Sequence, residues 1–442
     1  MVANVLYLAG LLLISPLVLY RMIFHGRYRR GLSEKLLGLS ADRIKNFYGD
    51  ADQCIWIHAV SVGEVNLLVG FVEQLKKRVP ELAVAISTST DTGYDVAVQR
   101  FGKDRVFFCP LDFTWAVRRT INNLRPKRLI LAELELWPNL IRQATETNCE
   151  VMVVNARLSE RSAQRYQRFA FLTKAIFQQL SWVGCQDETY RDRFQACGTP
   201  ADRLSVTGSL KFDDAPDSRE TSEVQARLNW AGVDPWHRVW LFGSTQAGEE
   251  ELALQVYDRV RGAQPELRLI LVPRHPERFE NVAQLITAKG FDLHRRSRDK
   301  SLHGDQWESG TVILVDSIGE LRHWWGVSQI ATVGGSFGDR GGQNMLEPAG
   351  YGAAVSFGPN TRNFAEIAER LLEAGGAIRV NDQAELEAFV LRCLTDIPAA
   401  DALGVAARQV IADHRGATDR TVEAIQRSVG TREDRSPFQR SA

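Results

Sequence analysis

The sequence predicts an α/β protein made of two doubly wound, Rossmann-like domains. Two series of short apolar strands, each alternating with helix-like stretches, require parallel sheets covered on both faces. A polar stretch with few apolar residues, FDDAPDSRETSEVQ at 212–225, separates the two series and reads as a linker. Turns rich in Gly, Ser and Thr follow several strands, where ligands of such sheets bind.

The chain begins with an apolar run, residues 2–20, that carries no charge and is long enough to cross a bilayer. A cleavable signal peptide would place its charges before the apolar core, whereas here Arg21, Arg27, Arg29, Arg30 and Lys35 follow it. The run therefore reads as an N-terminal anchor or deeply inserted helix, with a buried core helix as the alternative. The basic cluster leaves everything after residue 20 on the cytoplasmic side.

The first series of strands reads QCIWIHAV (53–60), LAVAIST (82–88), RVFFCP (105–110), KRLILAE (127–133), EVMVVNA (150–156), WVGCQ (182–186) and LSVTG (204–208). GEVNLLVGFVEQLKKRV and the longer SERSAQRYQRFAFLTKAIFQQL are helix-like. The second series reads RVWLFGST (238–245), LRLILVPR (267–274), TVILVD (311–316), QIATVGG (329–335) and AAVSFGP (353–359). These divide the chain into an anchor (1–22), a first domain (23–212), a linker (213–226), a second domain (227–425) and a polar tail (426–442).

Composition narrows the function. The 442 residues suffice for two or three cores, and the 54 Lys plus Arg balance the 54 Asp plus Glu, so a nucleic-acid partner is not expected. Six scattered cysteines show no metal spacing and read as reduced, mostly buried residues of a reducing compartment. No acidic metal motif is present, and Asp213 and Asp214 read as solvated linker acids.

Candidate chemistry sits at strand ends. In IHAVSVGEV, His58, Ser61, Gly63 and Glu64 lie where a helix begins, and backbone N–H groups there attract a carboxylate or a phosphate. An ordinary capped turn with Ser61 at the cap reads the same way. In RLILAELELWPNLI, Glu133 and Glu135 leave a buried strand, a costly place for carboxylates unless they are paired or face a cleft. Two surface acids before a helix starting near Pro138 are the bland alternative. Asn155, Arg157 and Lys211 end later strands. Pro273, Arg274 and His275 follow a strand between stiffening prolines, which suits an Arg aimed at a phosphate. VDSIGEL and LFGSTQAGEEE offer two more strand-to-helix turns, the latter with acids in its first helical turn. The stretch GGSFGDRGGQNMLEPAGYG, 334–352, holds seven glycines. It is neither a Walker loop nor a dinucleotide fingerprint. Its glycines, Gly335 among them, let backbone N–H groups face a ligand, and Glu347, one turn from Asn344, can accept the hydroxyls of a ribose.

Taken together, HAVSVGE, ELWPNLI, NARLSERS, TGSLKFD, PRHPERF, GGS, GGQN and LEPAGYG resemble, block by block and in order, the 3-deoxy-D-manno-octulosonic acid (Kdo) transferases of lipopolysaccharide assembly. The resemblance implies a GT-B fold and an enzyme of the cell inner membrane facing the cytoplasm. It implies inverting transfer of Kdo from CMP-Kdo to a lipid A precursor, lipid IVA. With no acidic metal motif in the chain, no metal or other cofactor is expected. By that similarity Glu34 matches the general base. Glu133 or Glu135, with Lys211, matches the groups that steady the transition state. Pro273 and Arg274, then Ile318, Gly319 and Glu320, then Asn344, Met345, Leu346 and Glu347 match the segments that hold CMP. Two departures stand out: Lys-Leu-Leu-Gly follows Glu34 where the family has Arg-Leu-Gly, and Gln343 stands where His is common.

Physical chemistry agrees with these implied roles. Glu34 lies shortly after the apolar run, where a lipid hydroxyl is presented, and the nearby cations suit anionic headgroups. Arg274, Lys211 and helix starts can offset the charge of a departing nucleoside monophosphate. Two rivals remain at this stage: a GT-B transferase or epimerase using a UDP-sugar, and a catalytically inactive membrane-anchored binding protein.

Overall fold

The computed structural model describes residues 29–44, 53–302, 307–308 and 310–430, together with residues 4, 7, 15, 16, 20, 22, 24 and 47. Its apolar runs form two parallel sheets. The first contains β1 (Gln53–His58), β2 (Leu82–Thr88), β3 (Val106–Phe108), β4 (Arg128–Ala132), β5 (Glu150–Ala156), β6 (Trp182–Cys185) and β7 (Leu204–Val206). Their spatial order is β3-β2-β1-β4-β5-β6-β7. The second contains β8 (Arg238–Thr245), β9 (Leu267–Pro273), β10 (Asp292–Arg295), β11 (Thr311–Leu314), β12 (Ile330–Val333), β13 (Ala354–Phe357) and β14 (Ala377–Arg379), in the order β10-β11-β9-β8-β12-β13-β14.

Burial on both faces explains why these strands read as continuous apolar runs. In β1, Cys54 and Trp56 enter a cluster with Phe107 and Leu129, while Ile55 and Ile57 enter another with Val65 and Leu68. Each Ile, Leu, Val or Phe among them contributes about 1.5–3 kcal/mol when fully buried. The strands that the sequence pattern misses, β10 (DLHR) and β14 (AIR), are the short edge strands, where one flank is unpaired and apolar continuity is not demanded.

Contacts divide the chain into two units, Met1–Asp214 with Arg415–Ala442, and Ala215–His414. The division falls inside the expected linker, but the last helix, Ala417–Gly430, groups with the first unit rather than the second. Its Val422 and Ile425 join the core cluster of Ile55 and Val65. Asp213, expected to be solvated, accepts hydrogen bonds from the backbone N–H groups of Gly416 (2.7 Å) and Thr418 (2.5 Å) and so caps this helix. Residues 426–430 of the expected tail are helical, and 431–442 lie outside the described residues. The expected long helix after Ser159 is two, Glu160–Arg168 and Ala170–Gln178, broken at Phe169. The linker stretch gains a helix at Ser222, capped by Thr221.

Most of the expected anchor, 1–22, lies outside the described residues. Among the described residues no helix is long and apolar enough to cross a membrane. All six cysteines are unpaired and buried, and burial pushes Cys54, Cys149, Cys185 and Cys393 up to about 12.

Candidate active site

The switch point, where the chain crosses from one half of the sheet to the other, lies between β1 and β4 in the first sheet and between β8 and β12 in the second. Ligands of doubly wound sheets bind outside the carboxyl ends of the strands at that switch point.

In the first unit, Ser61 and Glu64 form a capping box at the helix that follows β1. The Glu64 carboxylate accepts from Val60 N (2.9 Å) and Ser61 Oγ (3.0 Å). Ser61 is thus engaged in the turn itself, and Gly63 sits one residue into the helix, where a Cβ would come 3.8 Å from Ser61 Oγ. His58 is fully buried, with Nδ1 2.9 Å from Ser87 Oγ and burial lowering it to about 4, so the ring is neutral.

Glu133 follows β4 with φ 55, a left-handed conformation that costs a residue with a Cβ. Asn155, in β5, is left-handed as well, with φ 53, where the β5–β6 register slips. These two strained residues build the site. Arg157 Nε donates to Glu133 Oε2 at 2.7 Å. Asn155 Oδ1 accepts from Leu210 N at 3.0 Å, which brings the following Lys211 to 4.0 Å from Glu133 Oε1. One carboxylate therefore faces two cations. Glu135 accepts from the Trp137 indole at 3.0 Å and is otherwise near acids. Burial first, then the charges of Glu64 and Glu133, push it up to about 7, despite the Trp137 hydrogen bond. Burial also raises Glu64.

Glu34, in the short helix Leu32–Leu37, meets the carboxyl end of β3 instead. Phe108 N donates to its Oε2 at 2.8 Å and Arg43 Nε to its Oε1 at 3.2 Å. With β2 and β1 between β3 and β4, three strand spacings put these sites roughly 14 Å apart on one edge of the sheet. The structure thus joins Glu133, Glu135 and Lys211 with Glu64 and Arg157, and sets Glu34 apart.

In the second unit, Pro273 ends β9, and Arg274 and His275 follow it; Arg274 N donates to Thr245 O at 3.1 Å while its side chain is exposed. His275 lies 3.9 Å from Glu277. Ile318, 78% exposed, and Gly319, with φ 85, form the tip of the loop after β11. Glu320 is not a free ligand group. Its carboxylate receives Arg296 (2.9 and 3.1 Å), Arg227 (3.1 Å) and Ser317 Oγ (2.8 Å). Burial pushes Glu320 up, but the hydrogen bonds from Arg296 and Ser317 prevail and hold it at about 2.

After β12, the expected backbone cradle exists but is already filled. The N–H groups of Gly335 (2.8 Å), Ser336 (3.1 Å) and Phe337 (3.1 Å), with that of Gln246 (2.8 Å), all donate to the Glu249 carboxylate. Gly334 is required here, because a Cβ would lie 2.7 Å from Ser244 O and 2.8 Å from Glu249 Oε2. Gly335 therefore presents its N–H to the protein's own acid rather than outward. Asn344 Oδ1 accepts from Leu346 N at 3.1 Å and Asn344 Nδ2 lies 3.4 Å from Glu347 Oε1, so these two side chains form one local network. Met345 and Leu346 bury their side chains in the core, leaving only backbone at this loop. The sequence assigns no role to Glu64, Arg157, Glu249 and Glu250; the S-x-x-E spacing signals Glu64, and the acidic helix start after β8 signals Glu249.

Two parallel seven-stranded sheets, each with acids and cations gathered beyond a switch point, define an α/β protein of GT-B-like fold. Three comparisons sharpen this. Residues 30–214 match the family model described as 3-deoxy-D-manno-octulosonic-acid transferase. A 3-deoxy-D-manno-octulosonic acid transferase of Haemophilus influenzae is 36% identical, covering 95% of this chain and 97% of its own. One from Bordetella pertussis is 32% identical, covering 85% and 87%. The chain belongs to the family of 3-deoxy-D-manno-octulosonic acid transferases. A solved UDP-GlcNAc 2-epimerase from Neisseria meningitidis shares the fold at TM-score 0.56, 10% identity and coverage of 85% of this chain and 100% of that one.

Proposed function

We propose that this chain is an inverting glycosyltransferase that moves Kdo from CMP-Kdo to a lipid A precursor, lipid IVA, during synthesis of the lipopolysaccharide inner core. The observation that carries this reading is the end-to-end likeness to the Haemophilus transferase, 36% identity over 95% of the chain. The likeness to an epimerase is one of fold alone and does not favour a UDP-sugar.

Each residue then has a chemical task. Glu34 takes the proton from the acceptor hydroxyl, its carboxylate oriented by Phe108 N and Arg43. Orientation by two donors keeps the base in one rotamer and leaves further lone pairs for the acceptor. The oxygen so activated attacks the anomeric carbon as the bond to the cytidylate phosphate breaks. Lys211 and Arg157, fixed beside Glu133, provide positive charge for an acidic sugar in the transition state. Glu135 keeps a proton to near neutrality, so it meets an anionic substrate without full charge repulsion. In the second unit, the exposed Arg274 binds the phosphate of CMP, and Glu347 the ribose. Arg274 supplies positive charge opposite the departing phosphate. The apolar run 2–20 anchors the chain in the inner membrane, and the Arg and Lys residues behind it keep the enzyme on the cytoplasmic face.

The test is direct. The purified full chain, given CMP-Kdo and a tetra-acylated lipid A precursor in detergent, should yield a product heavier by one or more Kdo residues. Absence of that mass together with transfer from a UDP-sugar would overturn the reading in favour of the UDP-sugar alternative.

A further inference from the structure

We infer that Glu249 and Glu250 are positioning residues for the donor nucleotide, each fixing one of the two loops that hold it, from a single helix start. This rests on the reading that the second unit binds the donor. The helix Glu249–Arg261 begins after the turn that ends β8, at the switch point. Both acids are buried, 4% and 1% exposed, and sit side by side in sequence, a costly arrangement unless each is fully paired.

Their partners differ. Glu249 is bound by the backbone of the loop after β12, through Gly335, Ser336 and Phe337. Consecutive N–H groups converging on one point form an anion-binding nest. With a carboxylate of the protein inside it, the nest cannot receive a phosphate; it serves to hold the loop in shape. Ser336 then passes that order onward, since its Oγ donates to Val333 O and accepts from Gly358 N at 2.8 Å. Glu250 turns to the loop after β9. Arg278 donates to it twice, at 2.7 and 2.8 Å, and also to Thr245 O at 3.3 Å. Thr245 binds Glu250 through Oγ1 and Arg274 N through its carbonyl. The backbone of the phosphate-binding Arg274 is thus fastened through Thr245, which Glu250 and Arg278 hold. Two neighbouring carboxylates fix the loops 334–337 and 274–278 relative to one rigid helix.

The experiment combines amide hydrogen exchange with calorimetric binding of CMP to the full chain and with steady-state kinetics. In Glu249→Gln, an amide N–H faces backbone N–H groups, so exchange at 335–337 should quicken while 274–278 keeps its wild-type rate. In Arg278→Lys, the bidentate pairing is lost and the reverse pattern is expected. Both variants should bind CMP about tenfold more weakly, with kcat at saturating donor within about threefold of wild type. If Glu249→Gln fails to fold, Glu249→Asp, which keeps the charge and shortens the reach, and Arg278→Lys carry the test. Unaltered exchange in both loops, or loosened loops with unaltered CMP affinity, overturns the inference. A wild-type chain that does not bind CMP overturns the donor reading instead, and the exchange rates alone then decide whether the two acids clamp the loops.

Discussion

Glu133, at the carboxyl end of β4, faces Arg157 and Lys211 beside a second acid that holds its proton to about pH 7, whereas Glu249, after β8, is wrapped by four backbone N–H groups. Both lie at switch points. The first unit leaves Glu135 buried beside the charges of Glu64 and Glu133, which keep its proton on. The second saturates Glu249, Glu250 and Glu320 with donors, while Arg274 and Ile318 stay exposed. Acids at the switch points of related folds are thus told apart by counting the donors around each carboxylate.

The largest expected effect falls in the first unit. Glu34→Gln should lower kcat by about 10²–10⁴, the usual worth of a general base, while CMP binding is unchanged; measurable turnover at the wild-type rate would remove the role. In the second unit, Glu320→Gln should leave Arg227 and Arg296 facing an uncharged partner and cost on the order of 2 kcal/mol by denaturant unfolding. Because Glu320 is held at about 2, its contribution is present above its ordinary 4.5 and is lost as pH falls through 4.5 toward 2. Acid unfolding of the variant should therefore lack that limb. Next in size, Arg274→Ala should raise the donor KM about tenfold with little change in kcat, as expected for loss of a charge-assisted contact.

Two titrations of opposite sign lie within the first unit. Glu135 holds its proton more tightly folded than unfolded, so its contribution is full below 4.5 and declines as pH rises through about 7. His58 behaves oppositely: kept neutral down to about 4, it contributes above 6.5 and that contribution fades as pH falls. The two oppose each other between those values. Stability curves of Glu135→Gln should slope upward with pH more steeply than wild type there, and those of His58→Gln less steeply. Parallel curves for all three proteins would erase the contrast in proton binding between Glu135 and His58.

Much of this was legible in the sequence. Buried parallel strands are written as unbroken apolar runs, so most strands of both sheets announce themselves, and S-V-G-E carries its cap on its face. What escaped needed three dimensions. The strain at Glu133 and Asn155 belongs to backbone angles, not residue types. The glycines at 334 and 335 correctly signal close approach, but the approaching group is Glu249, some 85 residues earlier, as the pairing of Gly335 with Glu249 across 86 positions records. Likewise Asp213 looked solvated because its partners, Gly416 and Thr418, lie about 200 positions away. The break at Phe169 carries no Pro or Gly to mark it.

The return of the final helix to the first unit has a practical consequence for dissection. Ala417, Val422 and Ile425 fill places in a cluster that also contains Leu68 and Phe71, and Arg78 reaches Asp419 at 2.5 Å. A gene truncation after Asp214 would therefore strip an oily strip bare along the helix Val62–Arg78 and yield an aggregating fragment. Supplying residues 415–430 as a separate peptide should restore its solubility.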